Sequence, residues 1–320
     1  MVSAINEIKQ AATALKSGGL AVMPTETVYG LAGDATNENA VVAIFAAKGR
    51  PQFNPLIVHV FDAAMATTYV AVSPLARSLM DSFWPGPLTL VLPRKDDCDI
   101  SLLVSAGLDS LAIRAPAHDI ARQLIQHANR PLAAPSANLS GAISPTQIDH
   151  IHPKILNQVD SALDGGPCVV GVESTIVSVK DDVVTLLRPG GIARHEIEGV
   201  IGKPVRQSEK FTTPLAPGML DSHYAPKSPL RMDANTISDG EAYLGFGDER
   251  EENQNHPHGL NLSPSGHFPE AAKNLFSYLH QLDEMCATHA LAGIAAAPIP
   301  AQGLGEAIND RLRRASAPRS

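Results

Sequence analysis

The chain reads as an α/β protein: an open, mixed sheet, then a Pro-containing linker, then a smaller α/β unit. Three observations carry that expectation. Short apolar runs are stopped by Gly or Pro, as buried strands are. Segments with apolar residues three and four apart lie among them, without the strict alternation of an all-parallel fold. The 320 residues also exceed the size, about 250–300 residues, at which a single core usually stops growing.

Ile5, Ile8, Ala12 and Leu15 follow helical spacing after Ser3 as N-cap, and Gly18-Gly19 ends that helix. Residues 20–23 form a short buried strand closed by Pro24, and residues 41–47 a helix running directly into Lys48. Strands are expected at 56–60, 88–92, 110–114 and 131–134, with a helix at 120–127. Residues 174–179 and 183–188 read as a hairpin around Asp181-Asp182. From 204 to 229 no hydrophobic period is present, which predicts a linker. Beyond it come strands at 243–246 and 294–297, helices at 270–282 and 304–312, and a polar loop at 247–259. The expected boundaries are 1–203 for the first domain, 204–230 for the linker and 231–320 for the second domain.

Composition narrows the function. A hydrophobic share of 44% supports a sizeable core, and a net charge of −8 argues against a protein whose main task is coating nucleic acid. Cys98, Cys168 and Cys286 are dispersed and form no C-x-x-C pair, so neither structural zinc nor a thioredoxin-like site is expected, and a reducing cytoplasm fits best. The first residues lack a basic segment followed by an apolar one, and no apolar stretch reaches ~18 residues. A soluble, cytoplasmic protein without membrane contact is the expectation.

Lys48-Gly49-Arg50-Pro51 displays two cations from a stiff turn, and Asn54 follows. Arg grips phosphate through two parallel hydrogen bonds, and Lys adds a compact charge. The alternative is a solvated basic turn favoured by the helix dipole. Pro24-Thr25-Glu26-Thr27-Val28-Tyr29-Gly30-Leu31 places hydroxyls and a carboxylate after a buried strand, where open α/β sheets bind ligands. It reads equally as a polar turn. His59 sits in an apolar strand with no metal-binding spacing around it. Arg114 closes a strand before Ala115-Pro116, which suits carboxylate recognition. Ala134-Pro135-Ser136-Ala137-Asn138-Leu139-Ser140-Gly141 follows a strand in the same way, with Ser144 beyond it. Small hydroxyl residues there leave backbone N–H groups open to phosphate or adenine, although plain turn chemistry also accounts for them. Gly171-Val172-Glu173-Ser174-Thr175 and Leu187-Arg188-Pro189-Gly190-Gly191 complete the set, and Trp84 reads as a core anchor. No G-x-x-x-x-G-K-[ST], G-x-G-x-x-G or Ser-His-Asp arrangement is present, so P-loop ATPase, dinucleotide enzyme and serine hydrolase lose ground.

In order, these blocks resemble the YrdC-type threonylcarbamoyl-AMP synthases from about Gly19 to Gly191. The segments at 216–226 and 303–312 resemble the long, two-domain form of that family. The resemblance implies an open twisted mixed sheet of YrdC type, a linker over the site and a smaller Rossmann-like α/β domain. It implies a nucleotidyltransferase that turns L-threonine, bicarbonate and ATP, with Mg²⁺, into threonylcarbamoyl-AMP and pyrophosphate. No zinc and no organic cofactor belong to that reaction. The product feeds a transferase that modifies adenosine beside the tRNA anticodon.

By the family pattern Thr27, His59, Arg114, Ala134 and Ser174 hold threonine, and Arg50, Asn54, Ser110, Ser136, Ser144 and Arg188 hold ATP. Lys48 and Asn138 complete a Lys-x-Arg…Ser-x-Asn signature, with Lys48 and Arg50 as the catalytic charges at the α-phosphate and His223 and Tyr224 of the linker beside the nucleotide. One departure stands out: the family linker reads P-G-M-K-Y-[KR]-H-Y, whereas Leu220-Asp221-Ser222 replace its basic and aromatic residues here. Two alternatives remain open: a module of the same fold that binds RNA weakly without forming an adenylate, and a carbamoyltransferase of hydrogenase maturation, whose zinc-finger cysteine pairs this chain lacks.

Overall fold

The computed structural model describes residues 2–49, 54–207, 223–248, 253 and 255–318. The expected helix at 41–47 extends over Glu38–Lys48 (α2), because Asn37 accepts the N–H groups of Asn39 and Ala40 at one end and Gly49 turns left-handed at the other. The first helix, Val2–Lys16 (α1), buries Ile8, Ala11, Ala12 and Leu15 against Ala121, Leu124, Ile125 and Ala128 of Asp119–Ala128 (α6). Between them lie Ala63–Tyr69 (α3), Pro74–Phe83 (α4), capped by Ser73, and the single turn Leu102–Ser105 (α5). Pro153–Leu156 (α7) and Arg194–Ile201 (α8) complete the first unit.

Among the described residues ten strands form the large sheet: Ala21–Met23 (β1), Gly30–Asp34 (β2), Ile57–His59 (β3), Leu88–Pro93 (β4), Ser110–Arg114 (β5), Leu132–Ala133 (β6), Ser161–Ala162 (β7), Thr175–Lys180 (β8), Val183–Arg188 (β9) and Arg206–Gln207 (β10). Their order is β10-β9-β8-β4-β5-β3-β6-β2-β1-β7, mixed in direction. β3 runs parallel to β5 and antiparallel to β6. β10 lies within the stretch expected as linker, pairing with β9 while Val205 enters the core. Alternation along the strands feeds two layers. Val22, Leu31 and Ala133 join the main core with Val41, Ile44 and Leu79, whereas Ala21, Met23, Ala32 and Leu132 face α1 and α6. Trp84 packs against the main core and donates Nε1–H to the Leu88 carbonyl.

The second unit holds four parallel strands, Leu230–Arg231 (β11), Glu241–Gly245 (β12), Gly259–Asn261 (β13) and Gly293–Ala296 (β14), in the order β11-β14-β12-β13. The helices Phe268–His289 (α9) and Gly305–Ser316 (α10) cover it. One apolar cluster joins the two units: Val28, Ile143 and Val172 from the first pack with Tyr224, Leu275, Phe276 and Leu312. Gly171 permits that closeness. Its φ is +77°, and a Cβ there would stand 2.4 Å from the backbone of Lys273.

Candidate active site

The ends of β1, β3, β5, β6 and β9 and the start of β8 converge on one cleft holding about 530 Å³ of free space, its open mouth included. Thr27, His59, Arg114, Ala134 and Ser174 all line it, as do Ser136, Arg188, His223 and Tyr224. Thr27, His59, Arg114, Ser174 and Arg188 are almost wholly buried.

The segment after β1 is stitched in place rather than free. Tyr29 donates its backbone N–H to Pro145, accepts from Ala137, and sends its hydroxyl to Asp164 and Gly166. Thr25 Oγ1 lies 2.8 Å from Thr27 Oγ1 and donates to the Val28 carbonyl. Arg114 then meets this segment from β5. Its guanidinium donates to Thr27 Oγ1 at 3.0 Å and to the Gly86 carbonyl, and pairs with Glu26 at 2.5 Å. Glu26 in turn accepts the Ala117 N–H. The ion pair is buried on both sides, so Arg114 keeps its orientation without a ligand. Burial, then the Arg114 charge, pushes the His59 imidazole down to about 3, against the opposing pull of the Ile57 and Leu132 backbone. A neutral ring lining a cleft can meet a ligand hydroxyl or amine.

Arg188 reaches the cleft through a register shift. Val177 pairs with Leu186, yet Ile176 pairs with Arg188, which leaves Leu187 as an extra residue. Simple alternation would turn residue 188 to the same side as Leu186, which lies in the main core. The shift turns Arg188 to the cleft instead, where it donates to the Ser174 carbonyl at 2.9 Å. Burial lowers its pKa from the usual arginine range.

Glu173 is the residue that sequence reasoning singles out least. Its carboxylate lines the cleft, accepting Ser144 Oγ at 2.5 Å on one oxygen and Arg311 Nε at 2.9 Å on the other. Arg311, fully buried, comes from α10 of the second unit; it also donates to the Pro189 carbonyl and lies over the Tyr224 ring at 5.4 Å. Asp310 beside it is held below the usual carboxylate range: burial opposes its charge, but Arg311 and Arg314 outweigh that. A Glu in a G-V-E-S-T block suggests a polar turn, and nothing local signals a partner 138 residues away.

Five expected site residues stand apart from the cleft lining. Lys48 is buried with its ammonium on the Ser136 and Asn138 carbonyls. Asn138 sends its amide to the Leu139 and Ala142 carbonyls. Asn54 is buried nearby in sequence, Ser110 opens β5 at the end opposite Arg114, and Ser144 touches the cleft only through Glu173. Arg50 and Leu220-Asp221-Ser222 lie outside the described residues. Among the described residues no group of three or more His, Cys, Asp or Glu side chains could hold a metal ion, and no helix is long and apolar enough to cross a membrane.

Comparison with known proteins agrees with this architecture over both units. The Sua5/YciO/YrdC family model, described as telomere recombination, matches residues 13–190; a second, the threonylcarbamoyl-AMP synthase C-terminal domain, matches residues 192–317. The threonylcarbamoyl-AMP synthase of Bacillus subtilis is 47% identical over 71% of this chain and 66% of its own length. That of Pyrococcus abyssi is 37% identical over 97% of this chain and 94% of its own. The crystal structure of P. abyssi Sua5 complexed with L-threonine superposes with a TM-score of 0.86 over 97% of this chain and 94% of that one. E. coli YciO, at 24% identity, shares the fold over 58% of this chain and 90% of its own (TM-score 0.52). With both family models matched in order and a relative aligned over nearly its whole length, the chain belongs to the threonylcarbamoyl-AMP synthases, in their two-domain form.

Proposed function

We propose that this cleft joins L-threonine, bicarbonate and ATP into threonylcarbamoyl-AMP and pyrophosphate. The observation that carries the reading is the grouping, around one cleft, of Thr27, His59 and Arg114 with Ser136, Ser174 and Arg188. The first three suit an amino acid: Arg114 takes the carboxylate, and neutral His59 meets the hydroxyl or amine. Ser136 and Arg188 suit phosphate oxygens, with Ser144 held at the nucleotide side by Glu173. By the family pattern Asn54, Ser110 and Asn138 would also serve the nucleotide, although none of the three lines the cleft.

The threonine nitrogen bonds to the bicarbonate carbon with loss of water, giving a carbamate that is already an anionic nucleophile. Its oxygen then bonds to the α-phosphorus while the bond from that phosphorus to the bridging oxygen breaks, and pyrophosphate leaves. Little general-base help is needed, so positioning and charge stabilisation carry the step. Mg²⁺ belongs to this reaction as the companion of ATP. Both oxygens of Glu173, the carboxylate lining the cleft, are engaged by Ser144 and Arg311, so the triphosphate itself would supply the oxygen ligands for Mg²⁺. When bound, the ion neutralises charge on the phosphates.

The adenylate would pass to a tRNA threonylcarbamoyl transferase in the cytoplasm. The test is direct: incubate the protein with ATP, bicarbonate and threonine, with serine as control, and look for threonylcarbamoyl-AMP by mass spectrometry. Threonine-dependent adenylate and pyrophosphate support the reading. No adenylate under any metal condition, together with a salt-sensitive RNA affinity, would replace it with the RNA-binding alternative.

A further inference from the structure

Lys48, in the last turn of α2, sends its side chain into the loop that follows β6. Its ammonium donates to two carbonyls of that loop, Ser136 and Asn138. Its own carbonyl accepts the Ser140 N–H at 2.9 Å. One residue therefore ties the loop at three points. Carbonyls two residues apart that point the same way bring two negative dipole ends together. A compact cation with three rotatable donors answers both.

The same loop is the shared wall of the two substrate ends. Ala134, Pro135 and Ser136 line the cleft. On its other edge the loop bonds to the threonine-side segment: Leu31 N–H donates to Pro135, and Ala137 N–H to Tyr29. A shift of this backbone therefore moves the threonine wall and Ser136 together.

We propose that Lys48 is a positioning residue for both substrates, acting by bracing the 134–140 loop. The proposal rests on the cleft being the threonine and ATP site. It differs from a pure phosphate contact in one measurable way: threonine binding depends on Lys48 even when no nucleotide is present.

The test is threonine affinity without ATP, by isothermal titration calorimetry, for wild type, Lys48→Met and Lys48→Arg. Lys48→Met keeps the stem and removes the donors, and is expected to weaken threonine at least ~10-fold, because small misplacements of binding groups carry large costs. Lys48→Arg, which can still donate to both carbonyls, is expected to recover most of that affinity. Hydrogen exchange of peptides spanning 134–142 supplies a readout independent of ligand, with faster exchange expected in Lys48→Met. Unchanged threonine affinity and unchanged exchange in Lys48→Met overturn the proposal. Should Lys48→Met fail to fold, Lys48→Gln, with a shorter and neutral donor, replaces it: weaker threonine binding with faster exchange over 134–142 supports the brace, and wild-type values of both overturn it. Failure of wild type to bind threonine at all would instead refute the assignment of the cleft.

Discussion

Replacing Arg311 by Met should cripple this protein from the far side of its cleft. The substitution keeps volume and removes a fully buried guanidinium that meets Glu173, Asp310 and the Pro189 carbonyl. Glu173 would lose its buried ion-pair partner and, among the described residues, keep Ser144 as its hydrogen-bond donor. Breaking one side of a buried ion pair typically costs about 3–5 kcal/mol. At about 2–4 °C per kcal/mol for a chain approaching this size, the melting temperature should fall by roughly 6–20 °C. Because Glu173 also positions Ser144, the KM for ATP should rise well beyond that for threonine. Calorimetric melts near pH 7.5 and initial rates of adenylate formation at varied ATP measure both effects. Adding Glu173→Gln removes the stranded charge, so the double variant should melt higher than Arg311→Met alone. A single variant melting within about 2 °C of wild type, or strictly additive losses in the double variant, would refute the reasoning.

Acid should loosen the fold through buried histidines. Burial and the Arg114 charge hold His59 to about 3, while burial and the neighbouring His280 hold His150 to about 3. Both are neutral when folded, whereas an unfolded histidine takes its proton near 6.5; stability is complete above that pH and declines as pH falls from about 6.5 towards 3. His150 stacks on His280 at 4.0 Å, and His280, whose Nε2 lies 3.3 Å from the Ser144 carbonyl, is also lowered by burial. Urea unfolding at pH 7.5 and 5.0 should therefore show a smaller pH-dependent loss in His150→Gln than in wild type; equal losses would exclude this pair as a contributor. Gly171→Ala should destabilise by about 1–3 kcal/mol, since it forces a left-handed residue against the Lys273 backbone; an unchanged melting temperature would show that the two units can part there at no cost. Arg50→Ala should lower adenylate formation at least ~10²-fold by removing a charge stabiliser, and Lys48→Ala comparably by misplacing the 134–140 loop that it braces; near-wild-type, threonine-dependent pyrophosphate release by either would count against that residue.

Local chemistry made much of the fold legible. Asn37 and Gly49 bracket α2, the Asp181-Asp182 turn joins β8 to β9, and the helical period of α9 runs on beyond its expected end. β2 was hidden for a physical reason: Gly30 and Gly33 carry no β-propensity, and the strand holds because β1 and β6 pair with it on both edges. Ser73-Pro74, by contrast, is an ordinary helix-start signal for α4.

By itself, the sequence determined which chemical groups exist and where along the chain each sits: arginines closing β5 and β9, hydroxyls after β1 and β6, a lysine ending α2 with an arginine two residues on. Those are local properties of propensity and turn chemistry. What each group faces was decided only in three dimensions. A one-residue shift aims Arg188, Glu26 holds Arg114 across 88 positions of chain, and the Lys48 ammonium sits on two carbonyls of the loop after β6. Glu173 joins Ser144 to Arg311 of the second unit. Buried charges must find partners wherever packing brings them, and packing is a property of the whole chain rather than of any segment.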